Sequence, residues 1–234
     1  MRARLLPATD MRDLQTELGL AGMICGGGSD LRAGLLNVDG AVLRSGRQVL
    51  SGPGRVTELL DAQGTPHFYL QHDCTRSFPL PDASVPRVHS EHMIEHLTLD
   101  GAIAWLREMR RLLAPGGVLR VTTPDLARYV TGYLDPEQAF YREHRQHLRD
   151  VRMEGHLGVA SIPERRAWMI NQIFRFYGHQ WIFDLDELRH AAVAAGFPPD
   201  ALHAQTYGSS RDPALGALDR VERRDETLYV DIVA

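Results

Sequence analysis

The stretch Met23–Gly40, MICGGGSDLRAGLLNVDG, predicts the fold of this chain. A short apolar run leads into three glycines, Gly26–Gly28, and a second apolar run ends in the acid Asp39. Glycine loses more backbone freedom on folding than any other residue, so three in a row favour a place where the backbone approaches a ligand. A strand, a glycine turn and a strand ending in a carboxylate are typical of nucleotide-binding α/β folds. An irregular surface turn is the alternative interpretation.

The composition is that of a folded, weakly acidic chain. Of its 234 residues 44% are hydrophobic, and the formal net charge is −4, which argues against a nucleic-acid partner. All 26 basic residues are arginine, which excludes Schiff-base and P-loop lysines. The two cysteines, Cys25 and Cys74, are too few for a disulfide framework. Without a signal peptide or an apolar run of about 18 residues, we expect a cytoplasmic protein that does not contact membranes.

Strand and helix patterns alternate along the rest of the chain. His67–Asp73 and Val85–Ser90 predict strands. Apolar residues at helical spacing follow, and Thr98 or Asp100 can cap the start of this helix. A second helix, capped by Asp184, precedes a closing strand. Residues 41–66 predict a loop with one short helix near Val56–Ala62. The alternation predicts an α/β fold with a doubly wound, mostly parallel sheet.

Polar features collect where these strands end. The glycine triplet, Asp39, Asp73 and the stretch Ser90–His92 all follow predicted strands, and ligands of such sheets bind at the carboxyl ends of strands. A dinucleotide fingerprint would need a third glycine and an acid about 20 residues further on. Leu31 occupies the third glycine position, and Asp39 comes only 11 residues after Gly28. NAD is therefore disfavoured as the ligand.

Four motifs, in this order, resemble those of class I S-adenosylmethionine-dependent methyltransferases of the methyltransferase-11-like kind. They are ICGGGSDLRAGLLNVD, HDCTRSFPLPDASVPRVHSEHMIEHL, RLLAPGGVLRVTTPD and GHQWIFDLDELRHAAVAAGF, and the resemblance covers roughly Met23 to Phe197. It implies a seven-stranded, mostly parallel sheet in one domain over residues 1–234, S-adenosylmethionine as cofactor, and methyl transfer. The chain departs from the family at Cys25-Gly26-Gly27, in place of Gly-Cys-Gly, and at Pro86, in place of a common Asp.

The resemblance also implies which residues bind the cofactor. The backbone of the glycine triplet packs against the methionyl and ribose parts, and Asp39 accepts from the ribose hydroxyls. Asp73 and Cys74 flank the adenine, while Ser90–His92 close the pocket near the sulfonium or merely cap the next helix. The complete set is Cys25, Gly26, Gly27, Gly28, Asp39, Gly40, Asp73, Cys74, Ser90, Glu91 and His92.

Residues 126–183 form a long insertion before the last sheet helix, which we interpret as a helical lid; ordinary helix core is the alternative. His92 and His179 are the candidate general bases, because histidine titrates nearest neutral pH. His144 and His147 lie in a charged stretch and are expected to be solvated. We expect a small-molecule acceptor, bound by a substrate set of Asn171, Phe176, Tyr177 and His179.

A second class of function competes for the stretch His92–His96. It matches the H-x-x-E-H pattern, in which two histidines one helical turn apart bind zinc beside a glutamate, here Glu95. A zinc-dependent hydrolase would need a third ligand, for which the sequence offers Glu143, Glu154 or His156. The methyltransferase resemblance accounts for the same stretch, so we assign no metal ligand. The zinc hydrolase remains an alternative, as does an S-adenosylmethionine-binding protein with non-methylating chemistry or none.

Overall fold

The computed structural model describes residues 2–5, 16, 18–28, 30–45 and 47–234. The strands found there are β1 (Arg2–Leu5), β2 (Gly22–Cys25), β3 (Leu35–Asp39), β4 (Arg44–Ser45), β5 (Gln48–Val49), β6 (Val56–Leu60), β7 (Pro66–Gln71), β8 (Val85–Glu91), β9 (Leu113–Pro124), β10 (Leu202–Gln205) and β11 (Thr227–Val233). The α-helices are α1 (Leu99–Leu112), α2 (Leu126–Leu134), α3 (Ala139–Asp150), α4 (Arg166–Arg175), α5 (Leu185–Ala194) and α6 (Pro213–Gly216). Two 3-10 helices cover Ile94–His96 and Val221–Arg223.

Nine of these strands form one mixed sheet in the order β1-β6-β7-β3-β2-β8-β9-β11-β10. The five central strands, β7 to β9 in that order, run parallel. β11 lies antiparallel between β9 and β10. The α/β fold predicted from the sequence is therefore confirmed.

The number of strands differs from the expected seven, because β6 and β1 extend the edge of the sheet beyond β7. The helix predicted near Val56–Ala62 is wrong: Val56–Leu60 is the strand β6, which pairs antiparallel with β7. Leu59 is fully buried and packs in an apolar cluster with Leu50 and Tyr69. The β-branched Val56 and the packing against β7 favour a strand over a helix here.

Helices α1 and α5 pack together against one face of the sheet. Trp105 and Met109 of α1 are fully buried in the main apolar cluster, which also contains Leu188 of α5. Both predicted N-caps are confirmed: the side chain of Thr98 accepts a hydrogen bond from the Gly101 amide, and that of Asp184 accepts from the Glu187 amide. This face holds the apolar core of the domain.

The opposite face of the sheet carries a buried ionic network instead. The guanidinium of Arg120 on β9 pairs with Asp219 at 2.5 Å and with Asp231 of β11 at 2.9 Å. All three side chains are fully buried, since α6 and residues 206–219 lie over this part of the sheet. A buried charge needs such a partner, because it has lost its hydration.

The insertion expected over residues 126–183 holds helices α2, α3 and α4. Tyr129, Tyr141 and Ile173 of these helices form an apolar cluster of their own. The amide of Leu126 donates to the carbonyl of Phe183 at 2.9 Å, so the two ends of the insertion meet beside the sheet. Among the described residues, no helix is both long and apolar enough to cross a membrane.

Candidate active site

The predicted strand ends do meet at one edge of the sheet. Cys25, the last residue of β2, lies in register with Val38 of β3 on one side and with Ser90 of β8 on the other. The chain leaves β2 for β3 in one direction and later returns to place β8 in the other. Such a switch in strand order opens a crevice at the carboxyl ends of the strands, where ligands bind.

Two glycines of the triplet occupy conformations that other residues rarely adopt. Gly26 has φ +77°, and a Cβ at this position would lie 2.5 Å from the Met93 side chain. Gly26 is therefore required by the close approach of the segment after β8. Gly28 has φ +58°, and a Cβ there would meet no protein atom within 4 Å. The backbone of Gly28 thus borders open space in which a ligand can approach it.

Asp39, at the end of β3, holds the glycine loop. Its Oδ2 accepts from the Gly28 amide at 3.0 Å and its Oδ1 accepts from the Ala41 amide at 2.8 Å. Each carboxylate oxygen can accept a second hydrogen bond, and the side chain of Asp39 is only partly buried. Asp39 therefore retains the capacity to accept from a ligand as well as from the loop.

The neighbouring predicted residues have mainly local partners. Asp73 is exposed, and its Oδ1 accepts from the amide and the hydroxyl of Thr75, as in a turn. Its neighbour Cys74 packs against the core beside Cys25. The hydrogen bond that the Cys25 thiol donates to Cys74, reinforced by burial, raises the pKa of Cys25, so Cys25 stays protonated. Gly40 lies beside the backbone of His72 at the same strand end.

The end of β8 supplies a buried hydroxyl and an ion-pair network. Ser90 is fully buried, and its Oγ has no hydrogen-bond partner in the described protein. Glu91 pairs with Arg220 at 2.8 Å, and Arg220 also pairs with Asp30 of the glycine loop at 2.6 Å. Arg220 thereby joins β8 to the glycine loop across the crevice.

His92 has a strained backbone and an enclosed ring. Its φ of +47° is unusual for a residue with a side chain, and such strain is found at functional sites. The hydroxyl of Thr227 donates to the Arg223 carbonyl, so it accepts from Nε2 of His92 at 2.8 Å. Burial, aided by Arg223, holds the pKa of His92 well below its usual value. Nδ1 of the neutral ring faces Oε1 of Glu95 at 3.4 Å, not open solvent.

Glu95 is a fully buried carboxyl group. Its Oε2 accepts from the Thr123 hydroxyl at 3.2 Å, whereas Oε1 has no hydrogen-bond partner among the described residues. Burial raises the pKa of Glu95 to about 8. The ionised form therefore lacks a stabilising partner in the protein alone.

A cavity of about 890 Å³ lies next to this group, between the sheet and helices α3 and α4. Gln172 also lines it, and the Oε1 of this buried amide has no hydrogen-bond partner in the described part of the chain. The volume suits a small organic molecule. Its wall is rich in imidazole rings, those of His92, His96, His144, His147, His156 and His179.

His179 presents a free lone pair to this cavity. Its Nδ1 donates to the Ile173 carbonyl at 2.6 Å, which leaves Nε2 of the neutral ring as an acceptor. Burial lowers the pKa of His179 to about 4, so the ring is neutral at pH 7. The ring of His96 lies against it, with centroids 4.9 Å apart.

The structure brings together three potential metal ligands that the sequence did not connect. Ligand atoms of Glu95, His96 and His179 all lie within 4.8 Å of one another. The residue His179 is far along the chain from the other two, so spacing within the H-x-x-E-H pattern gave no signal for it. The suggested third ligands, Glu143, Glu154 and His156, are not in this group.

The remaining predicted residues divide between the cavity and its surroundings. Tyr177 lines the cavity, whereas Asn171 is exposed and donates to the Ala167 carbonyl of its own helix. Phe176 packs with Trp168 in the apolar interior of the insertion. His144, expected to be solvated, is instead buried and bonded to Asp225 at 2.7 Å, because helix α3 packs on the segment before β11.

Comparison with known families identifies the class of protein. Residues 52–202, more than half of the chain, match the model of a methyltransferase domain family. The chain belongs to this family and is an enzyme. The match begins after the glycine loop, so it does not include Gly26–Gly28 or Asp39. A search of curated protein sequences found no match.

Solved structures with low sequence identity resemble the chain as well. An S-adenosylmethionine-dependent methyltransferase from Mesorhizobium loti is 16% identical, with 97% of this chain and 99% of that chain covered and a TM-score of 0.45. One from Archaeoglobus fulgidus is 10% identical, with 94% and 91% covered and a TM-score of 0.43. PigF, solved with SAH, is 13% identical, with 70% and 38% covered and a TM-score of 0.37. The assignment to the family therefore rests on the match of residues 52–202 alone.

The cofactor of this family member is S-adenosylmethionine, and the residues at the crevice fit it. Gly28 borders open space, as a backbone that approaches a ligand requires. Asp39 has unused acceptor capacity for hydroxyl groups, and the buried Ser90 hydroxyl lacks a partner. When bound, S-adenosylmethionine supplies a methyl group made electrophilic by its sulfonium.

Proposed function

We propose that this methyltransferase transfers the methyl group to a small molecule bound in the cavity beneath helices α3 and α4. The observation that carries the proposal is the position of this 890 Å³ cavity, whose wall includes His92, two residues after Ser90 at the end of β8. A methyl donor held at the strand ends therefore neighbours an acceptor held in the cavity. In-line transfer requires this adjacency, because the enzyme contributes mainly alignment and exclusion of water.

We propose that residues Gly26–Gly28, Asp39 and Ser90 hold the cofactor. Asp39 accepts from the ribose hydroxyls while its loop hydrogen bonds keep the glycine backbone in place. Asp73 and Cys74 sit beside the adenine by analogy with the family pattern; the turn hydrogen bonds of Asp73 support a positioning role for this residue.

On the acceptor side, His179 and Tyr177 are the proposed substrate-facing residues. Nε2 of His179 carries an available lone pair, whereas both ring nitrogens of His92 face protein groups. His179 is therefore the better supported of the two histidines for acting on the acceptor, and His92 for shaping the boundary between donor and acceptor. The unpartnered Gln172 Oε1 favours an acceptor that carries a hydrogen-bond donor.

We further propose that residues 126–183 act as the lid of one catalytic domain over residues 1–234. The hydrogen bond between Leu126 and Phe183 joins the two ends of this segment, which supports its interpretation as one insertion. The net charge of −4 supports a small-molecule acceptor over a nucleic acid. The two free cysteines support a cytoplasmic location.

The experiment is an assay of S-adenosylhomocysteine formation with a panel of small hydroxyl, amine and thiol acceptors. We expect turnover with at least one member, and a loss of about 10²-fold in His179→Ala, the size expected when a group that handles the acceptor proton is removed. Cofactor binding by this variant should remain unchanged. A variant that loses cofactor binding and turnover equally would place His179 at the donor instead.

A further inference from the structure

We propose that Glu95, His96 and His179 bind one divalent cation of the zinc type at the edge of the acceptor cavity. From the sequence alone we assign no metal ligand, and the geometry of these three side chains changes that expectation. Two imidazoles and one carboxylate are the ligand set of many catalytic zinc sites, which leave a fourth position open. His96 and His179 line the cavity, so the open position would face the acceptor.

The three side chains lie close enough together to share one ion. The ligand atoms of the three residues lie within 4.8 Å of one another. A tetrahedral zinc ion with bonds of about 2.0–2.1 Å separates its ligand atoms by about 3.4 Å. Inward rotation of the three side chains would have to close this difference of at most about 1.4 Å.

The carboxylate of Glu95 also lacks a partner for one of its oxygens. Glu95 is fully buried, and its Oε1 has no hydrogen-bond partner among the described residues. Buried carboxylates are paired with a charge or coordinate a metal, because isolation from water is costly. The nearest imidazole, that of His92, bonds the Thr227 hydroxyl through Nε2, and its Nδ1, 3.4 Å from Oε1, makes no hydrogen bond to that atom and so does not pair with this carboxylate. A cation between Glu95 and the two histidines would.

The orientation of His179 also fits a metal ligand. Its Nδ1 donates to the Ile173 carbonyl at 2.6 Å. Metal-binding histidines characteristically donate one ring N–H to a carbonyl, which fixes the ring and directs the other nitrogen to the metal. His179 has this arrangement without any metal in place.

The two segments that carry the ligands are also hydrogen-bonded to each other. The carbonyl of Glu95 accepts from the amides of Gln180 and Trp181, at 2.8 and 3.1 Å. The side chain of Gln180 donates to the His96 carbonyl at 2.6 Å. Residues 179–181 are thus fastened to the 3-10 helix Ile94–His96. Such support from outside the ligand set is what a preorganised metal site needs.

This inference rests on the proposed function and narrows its acceptor to a hydroxyl compound. A zinc-type cation lowers the pKa of a coordinated oxygen toward neutral. The acceptor oxygen then forms a bond to the methyl carbon, and the carbon–sulfur bond breaks with its electron pair kept by sulfur. With a cation bound, His179 promotes loss of the acceptor proton through that cation and not by accepting the proton with Nε2. The hydroxyl proton passes to solvent, so the products are the methyl ether, S-adenosylhomocysteine and one proton.

The test is a cobalt titration of the untagged full chain after removal of metals with a chelator. Co²⁺ in a tetrahedral site of this kind absorbs visible light, so binding is read without cofactor or acceptor. We expect one Co²⁺ per chain, displaced by Zn²⁺. His96→Ala, His179→Ala and the nearly isosteric Glu95→Gln should each weaken binding by at least about 10-fold, the loss seen for even an outer partner of a metal site.

Two variants serve as matched controls. His147→Ala removes an imidazole from the same cavity outside the ligand group, and His190→Ala removes an exposed one on α5. Both should bind Co²⁺ as the unmodified chain does. Thermal stabilisation by S-adenosylhomocysteine, retained in every variant, shows that the fold is intact. Absence of saturable binding, or an equal loss in His147→Ala, overturns the site.

Separate readouts distinguish failure of the site from failure of the proposed function. Cobalt binding without any response to S-adenosylhomocysteine would keep the site, reject the methyltransferase assignment of the cavity, and support the hydrolase alternative. A response to S-adenosylhomocysteine without cobalt binding would reject the metal site and keep the proposed function. Methylation of hydroxyl acceptors should fall at least about 10-fold in the stripped enzyme and return with Zn²⁺. Activity that survives chelation overturns the catalytic role of the cation.

Discussion

At the scale of single residues, Asp39 is the side chain that we propose connects the fold to the cofactor. Its two carboxylate oxygens hold the amides of Gly28 and Ala41, and they face the crevice at the strand ends. Asp39→Asn keeps the size of the side chain but removes the charge that strengthens hydrogen bonds from ribose hydroxyls. We expect most of the thermal shift produced by S-adenosylhomocysteine to disappear, as measured by differential scanning fluorimetry.

Asp61→Asn is the matched control for Asp39→Asn, since Asp61 also accepts from loop amides but lies at the end of β6. This variant should keep the full cofactor shift. A full shift in Asp39→Asn would mean that the ribose is held by other residues.

Arg120 allows the contribution of a single buried charge to the stability of the fold to be measured. It pairs with Asp219 and Asp231, and its replacement leaves two carboxylates without a cation in the interior. We expect Arg120→Met to lower the free energy of unfolding by about 3–5 kcal/mol in urea denaturation. The exposed pair of Arg189 with Asp186 gives the comparison, and Arg189→Met should change stability by less than about 0.5 kcal/mol. Equal effects of the two substitutions would mean that the buried network contributes no more to the free energy of unfolding than an exposed ion pair.

At the scale of elements, the insertion that we propose to be a lid is fastened to the sheet by a titratable network. His144 of α3 bonds Asp225, and its Nε2 bonds the hydroxyl of Tyr129, which in turn donates to Glu226. Burial alone would lower the pKa of His144, but the carboxylates of Glu226 and Asp225 outweigh it and raise that pKa above 6.5. The protonated form of His144 therefore holds the lid in place.

A raised histidine pKa gives a stability that depends on pH in a definite direction. The contribution of His144 is complete below its unfolded value of 6.5 and is lost as the pH rises through the higher folded value. We expect the melting temperature to fall over this interval, with about 1.4 kcal/mol for each unit of pKa difference. His144→Asn should flatten the profile, whereas His190→Asn on the exposed face of α5 should leave it unchanged. A profile equally steep in His144→Asn would contradict this role.

Elements with local signals were predictable from the sequence. The cap and apolar spacing of α1 and the cap of α5 are properties of adjacent residues, and both helices are confirmed. The strand β6 was mistaken for a helix because its pairing with β7 is a contact that local propensity does not encode. The grouping of His179 with Glu95 and His96 was unpredictable for the same reason, since hydrogen bonds from Gln180 and Trp181 bring it there.

At the scale of the whole molecule, the order of the strands explains why distant motifs converge. β2 lies between β3 and β8, so the glycine loop, Asp39 and Ser90 share one edge although the hairpin β4-β5 and strands β6 and β7 intervene in sequence. The same edge leads to the cavity through His92. In the proposed function the sheet places donor and acceptor side by side, while their identity depends on side chains supplied by loops and by the insertion over residues 126–183.

This arrangement predicts which ligand stabilises the entire domain. A ligand that binds only the folded state, at about 100 times its dissociation constant, adds about 2.7 kcal/mol. For a chain of this size that corresponds to a rise in melting temperature of about 5–10 °C. We expect this rise with S-adenosylhomocysteine and none with NAD, because the loop after Gly28 has no helix N-terminus to attract a pyrophosphate in its described residues. An equal rise with NAD, measured by scanning calorimetry, would contradict the assignment of the crevice.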